Sequence, residues 1–121
     1  MQPSYPIPFT YNVATDIGRV RLLIPDRDPD NAILTDEEIQ CYLDLNEGVG
    51  AVYYAAAEAV ETIASDEVMV LKVIKHNDLQ TDGASVARTL MARADRLRRR
   101  GDDLVAAGEP GFEVVQVNDA S

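Results

Sequence analysis

The chain has 121 residues, 46% of them hydrophobic, which suits one domain with a single core and is too little for two. Its 21 Asp and Glu against 11 Lys and Arg leave a net charge of −10, which argues against a general nucleic-acid binder, because such proteins use an excess of basic residues to displace counterions from phosphate. The lone Cys41 excludes an internal disulfide, and with only His76 beside it there is no Cys/His zinc set.

Residues 1–14 carry three prolines and no apolar periodicity, so they read as an extended arm with Tyr5, Phe9 and Tyr11 as candidate anchors. The arm lacks the basic start and continuous apolar run of a signal peptide, so the chain is expected to act where it is made. Thr15 then fits an N-cap, with Asp16 favoured in the first turn by the helix dipole. Ile17, Val20, Leu23 and Ile24 give that helix one apolar face, and Pro25 stops it. The turn-rich PDRDPDNAIL follows. Thr35-Asp36-Glu37-Glu38 reads as a capping box, worth on the order of 1 kcal/mol. The helix it opens carries Ile39, Tyr42 and Leu43 on one face and ends near Asn46 to Gly48. Cys41 lies among those core positions and is expected to be buried rather than reactive.

Val49 to Ile74 is the most apolar stretch, and it predicts one long helix from about residue 50 to about residue 74. Val52, Ala56, Val60, Ile63, Val68, Leu71 and Ile74 fall about one turn apart, while Tyr53, Ala59, Val70 and Val73 widen the stripe and Glu58 and Glu61 edge it. VMVLKVI by itself also fits a strand, but no Gly or Pro separates it from the Ala-rich segment before it, and a solitary strand has nothing to pair with. No uncharged run here reaches membrane-spanning length, so the wide stripe calls for other helices or other copies of the chain. After a polar connection, Thr81 or Asp82 caps a last helix with Val86, Leu90, Ala94, Leu97 and Leu104 on its stripe, Gly101 as a weak point, and Gly108 with Pro110 at its end. FEVVQV beyond Pro110 is a strand pattern without a sheet, suited to adding to the edge of another sheet.

The expected fold is therefore all-α: about four helices, two short and two long, with an extended N-terminal arm (1–14), a helical domain (15–108) and a β-like C-terminal tail (109–121). Three features compete for function. Asp26, Asp28, Asp30 and Glu37 match the first, third, fifth and twelfth places of a calcium loop, but Asn31 replaces the turn glycine, Pro25 and Pro29 stiffen it and Leu34 fills a ligand place, so an acidic turn feeding a capped helix is the reading adopted. Arg88, Arg93, Arg96, Arg98, Arg99 and Arg100 concentrate basic charge on the last helix; Arg93, Arg96 and Arg100 share a face and are candidates for pairing with Glu58, Glu61, Asp66 or Glu67 of a neighbouring subunit. Phe112, Val114, Val115 and Val117 are candidates for an edge-strand contact. No catalytic constellation, cofactor motif or phosphate loop appears, so no enzyme activity and no cofactor are expected.

The order DIGRVRLLIPDRDPDNAILTDEEIQCYLDLN, a long Ala-rich helix, then DLQTDGASVARTLMARADRLRRRGD resembles the head-tail connector (adaptor or head-completion) proteins of tailed bacteriophages, from about Thr15 to about Asp103. The resemblance implies a structural virion protein made in the host cytoplasm and built into the neck as a ring of about twelve copies below the portal. It implies that the ring extends the DNA channel, allowing non-specific DNA passage, helps retain packaged DNA and docks the next neck or tail protein, with no membrane partner. A small calcium-binding helical module using Asp26 to Glu37, or another phage neck or tail-completion protein, are the alternatives.

Overall fold

The computed structural model describes residues 9–24, 26, 28–76 and 82–108. Among them are five α-helices and no strand: α1 (Asp16–Leu23), α2 (Asp36–Leu45), α3 (Ala51–Ser65), α4 (Glu67–His76) and α5 (Gly83–Gly108), with a 3-10 turn at Pro29–Asn31 before α2. No described helix is long and apolar enough to cross a membrane.

The helix starts follow from side chains that occupy otherwise orphaned amides. Thr15 Oγ1 accepts from Gly18 N (3.1 Å), and Thr35 exchanges both capping-box hydrogen bonds with Glu38 (3.1 and 2.7 Å). Asp82 Oδ1 accepts from Ser85 N (2.7 Å) and opens α5. Gly48 takes a positive φ of 111° in the turn between α2 and α3.

α3 is the centre of the domain and packs on α1, α2, α4 and α5. Its Ala55, Ala56, Ala57 and Ala59 have no exposed surface, and such small side chains let helices approach from more than one side. Val60 and Ile63 of α3 complete a core with Val20 and Ile24, Ile33 and Leu34, Ile39 and Leu43, and the α5 stripe Val86, Leu90, Ala94 and Leu97. Burying aliphatic side chains of this size contributes roughly 1.5–3 kcal/mol each before entropy is subtracted.

Three sequence expectations change. The single helix from residue 50 to 74 is two helices, because Asp66 takes extended φ and ψ (−112°, 114°) while its Oδ1 accepts from Val68 N (2.9 Å) and Met69 N (3.2 Å), capping α4. The new helix buries Val70 and Val73 and leaves Val68 and Leu71 exposed, so the stripe does not run on through them. Cys41 is exposed, since the inward positions of α2 are Ile39 and Leu43. Gly101 is no weak point: a Cβ there would lie 2.8 Å from the Tyr54 ring, so the glycine gives α3 and α5 their close approach. The β-like tail, with Phe112, Val114, Val115 and Val117, and the first eight residues of the arm lie outside the described residues.

Candidate interaction surface

Charge is divided within this fold in two ways, one buried and one at the surface. The buried centre is Arg21, which sits on the apolar face of α1 between Val20 and Ile24 and has no exposed surface. Its Nη1 donates to Asp26 Oδ2 (2.8 Å), and its Nη2 donates to the Leu34 carbonyl (3.0 Å) and to Asp36 Oδ1 (2.9 Å). The Phe9 ring lies 3.8 Å from the guanidinium carbon. Asp26, itself 1% exposed, also accepts from Ile33 N and Leu34 N (both 2.9 Å), so both of its oxygens are taken. Thr10 closes the junction by donating its N–H (2.7 Å) and its hydroxyl to the Asp36 carboxylate. Burial pushes the Asp36 pKa up, but the hydrogen bonds from Thr10 and Arg21 outweigh it and hold the carboxyl below its usual range.

This geometry accounts for the acidic turn. Asp26 is an internal counter-ion, Asp28 Oδ1 accepts from Asp30 N (2.9 Å) to start the 3-10 turn, and Glu37 stands exposed in the first turn of α2. Among the described residues, no group of three or more His, Cys, Asp or Glu is placed to hold a metal ion. The junction also holds part of the arm: a Cβ at Gly18 would lie 2.0 Å from the Asn12 carbonyl oxygen, so the chain crosses α1 where only glycine leaves room. Phe9 is the anchor there, whereas Tyr11 is exposed.

At the surface, no Lys or Arg occurs from Asp28 to Leu71, and α2 presents Glu37, Glu38 and Asp44, with Glu47 just past its end, to solvent. α5 presents Arg88, Arg96, Arg99 and Arg100, with Asp95, Asp102 and Asp103 among them. α3 packs on both helices, so the acidic and the arginine-rich surfaces belong to two elements that share α3 as a neighbour.

Between α2 and α3 runs an open groove of about 580 Å³, lined by Tyr42, Leu45, Glu58, Glu61, Thr62, Ser65 and Asp66. The Tyr42 hydroxyl donates to Thr62 Oγ1 (2.8 Å), and Leu45 stands 70% exposed at the rim. Both oxygens of Glu61 accept from the Arg98 guanidinium of the same chain, which holds the Glu61 carboxyl below its usual range and raises Arg98. Glu58 Oε1 accepts from Asn46 Nδ2 (2.7 Å).

The five described interface candidates thus fall into separate places. Arg96 and Arg100 are free of the core on the outer face of α5, while Arg93 is half-buried and donates to the Leu23 carbonyl at the end of α1 (3.3 Å). Glu58 and Glu61 share the groove, and Glu61 already has Arg98 as its partner. Sequence reasoning missed Arg21 and Arg98. Arg21 carried a signal, since it stands four residues after Ile17 and beside Val20, inside the apolar stripe of α1. Arg98 carried none that separates it from its neighbours in RLRRR. No family model, curated protein or solved structure matches the chain.

Proposed function

We propose that the chain is a structural subunit of a tailed-phage virion, a head-tail connector with no catalytic role of its own. It assembles as a ring of about twelve copies below the portal, extends the DNA channel, helps retain the packaged genome and docks the next neck or tail protein. The observation that carries this reading is the division of charge, acidic on exposed α2 and arginine-rich on exposed α5, two helices that both pack on α3. Separate surfaces of opposite sign favour head-to-tail association and disfavour like surfaces meeting. The net charge of −10 supports the channel role, because an acidic wall repels DNA phosphate and lets it slide. The order of short helix, acidic turn, capped helix, Ala-rich centre and Arg-rich last helix supports the family reading.

The test is native mass spectrometry of the purified chain mixed with the portal ring of the same genome, in EDTA and in calcium. The expected result is about twelve copies per portal in either solution. A chain that leaves the portal bare overturns the reading, and calcium binding by that chain revives the helical calcium module.

A further inference from the structure

We propose that the α2/α3 groove receives the Arg96-Arg100-Leu104 stripe of α5 from a second copy of this chain. This names the subunit contact of the ring proposed above and rests on that reading. On the receiving side, Leu45 offers an apolar rim that is 70% exposed, and Tyr42 backs it. Glu58 spends Oε1 on Asn46, and Asp66 spends Oδ1 on the amides that open α4. That leaves Glu58 Oε2 and Asp66 Oδ2 to meet cations from outside, while Arg98 neutralises Glu61 from within. The groove therefore asks for a ligand with an apolar knob and basic groups beside it.

α5 offers that combination. Residues 96, 100 and 104 are spaced four apart and lie along one helix face. Leu104 is 39% exposed, and Arg96 and Arg100 are exposed beside it. The Leu104 end of the stripe borders a second depression of about 310 Å³ formed with Tyr53, Arg100, Asp103 and Ala107, which leaves room for a partner's Leu45 rim to seat. Planar guanidinium groups match carboxylates in two-point hydrogen bonds, and arginine is enriched where interfaces bury charge. Groove and stripe occur once each in every copy, the groove on α2 and α3 and the stripe on α5, so their union repeats from copy to copy.

The experiment uses the full chain in sedimentation velocity from about 1 μM to about 100 μM. Leu45→Asp destroys the rim and Leu104→Asp destroys the knob; both positions are exposed, and circular dichroism checks that each variant keeps its helices and its melting temperature. The wild type is expected to self-associate, and each variant to associate at least about tenfold more weakly. An equimolar mixture of the two variants is expected to form 1:1 dimers that grow no further, because each pair keeps one intact groove and one intact stripe. A wild type that stays monomeric, variants that associate like the wild type, or a mixture that stays monomeric each overturn the proposed contact. Loading onto the portal is measured in parallel. A monomer that still loads as a ring overturns this contact and leaves the connector reading standing, whereas a monomer that ignores the portal overturns both.

Discussion

Arg21 and Arg98 both grip carboxylates with both ends of the guanidinium, and they differ in what water can reach. Arg21 has no exposed side-chain surface and pairs with Asp26, also fully buried, and with Asp36, which is 21% exposed. Arg98 and Glu61 are 36% and 32% exposed. A buried charge that loses its partner keeps its desolvation cost, whereas a charge at the surface is taken over by water. The two centres should therefore respond to the same kind of mutation by very different amounts. The first ties residues 9–10, α1 and α2 into one unit; the second braces α3 against α5 beside a groove that is open to solvent.

The largest effect is expected from Asp26→Ala. It strands Arg21 in the interior and also removes the acceptor for the Ile33 and Leu34 amides, so the loss should be about 3–5 kcal/mol in urea unfolding. Replacing the pair together, Arg21→Met with Asp26→Leu, should cost less than Asp26→Ala alone, since no unpaired charge remains between them. A single variant that is no worse than the double would mean that Arg21 can escape to water. Gly18→Ala comes next, at about 1–3 kcal/mol, because the new methyl group must push the Asn12 backbone off α1. Hydrogen exchange at the Thr10 amide should rise with it. If that amide stays protected, residues 9–12 are held by something other than their passage over Gly18.

These contrasts also mark what could be read from residues alone. Caps were legible at Thr15 and Thr35, and at Thr81 or Asp82, of which Asp82 makes the bond, because a hydroxyl or carboxylate before an apolar period has a local job that depends on nothing distant. Asp66 has the same local job, yet Ser65-Asp66-Glu67 interrupts the apolar pattern for so few residues that the sequence reads as continuous. The wide apolar stripe of Val49 to Ile74 called for other helices or other copies as neighbours, and among the described residues α3 packs on four helices. Gly101 looked weak because its partner, Tyr54, lies far away in the chain and no short-range pattern links them. The groove was invisible for a similar reason. Its carboxylates were legible as the polar edge of one helix, but the choice of Arg98 over the arginines beside it is made by the crossing of α3 and α5.

A smaller effect, about 1 kcal/mol, is expected for Thr10→Val, which removes the hydroxyl donor to Asp36 and keeps the backbone N–H. The pH dependence fixes its sign. Asp36 is held below its ordinary value of 3.8, so the folded state prefers the charged form and the stabilisation is complete above that value. It is lost as pH falls through the lowered pKa. Wild type and variant should thus differ most near neutral pH and converge on acidification below 3.8. A difference that persists in acid would assign the cost to packing at residue 10 instead of to the carboxylate.

The smallest effect should come from Glu61→Gln, although its hydrogen bonds to Arg98 look as complete as those of Asp26 to Arg21. Arg98 keeps access to water when the carboxylate is neutralised, so the loss should stay between about 0.2 and 1 kcal/mol and shrink further in high salt. Its hydrogen bonds from Arg98 hold Glu61 below the ordinary 4.5, so the contribution is complete above that pH and fades as pH falls through the lowered value. Chemical denaturation at low and high salt, at neutral pH and in acid, measures all three statements. A loss approaching that of Asp26→Ala would show that the α3–α5 brace is shielded from water in solution, as it would be if a second copy covered the groove. Repeating the measurement in the Leu45→Asp background, at a concentration where sedimentation finds that variant monomeric, separates the two: a cost that falls to the surface value only in that background assigns the shielding to the neighbouring copy, and a cost that stays high assigns it to the fold of the single chain.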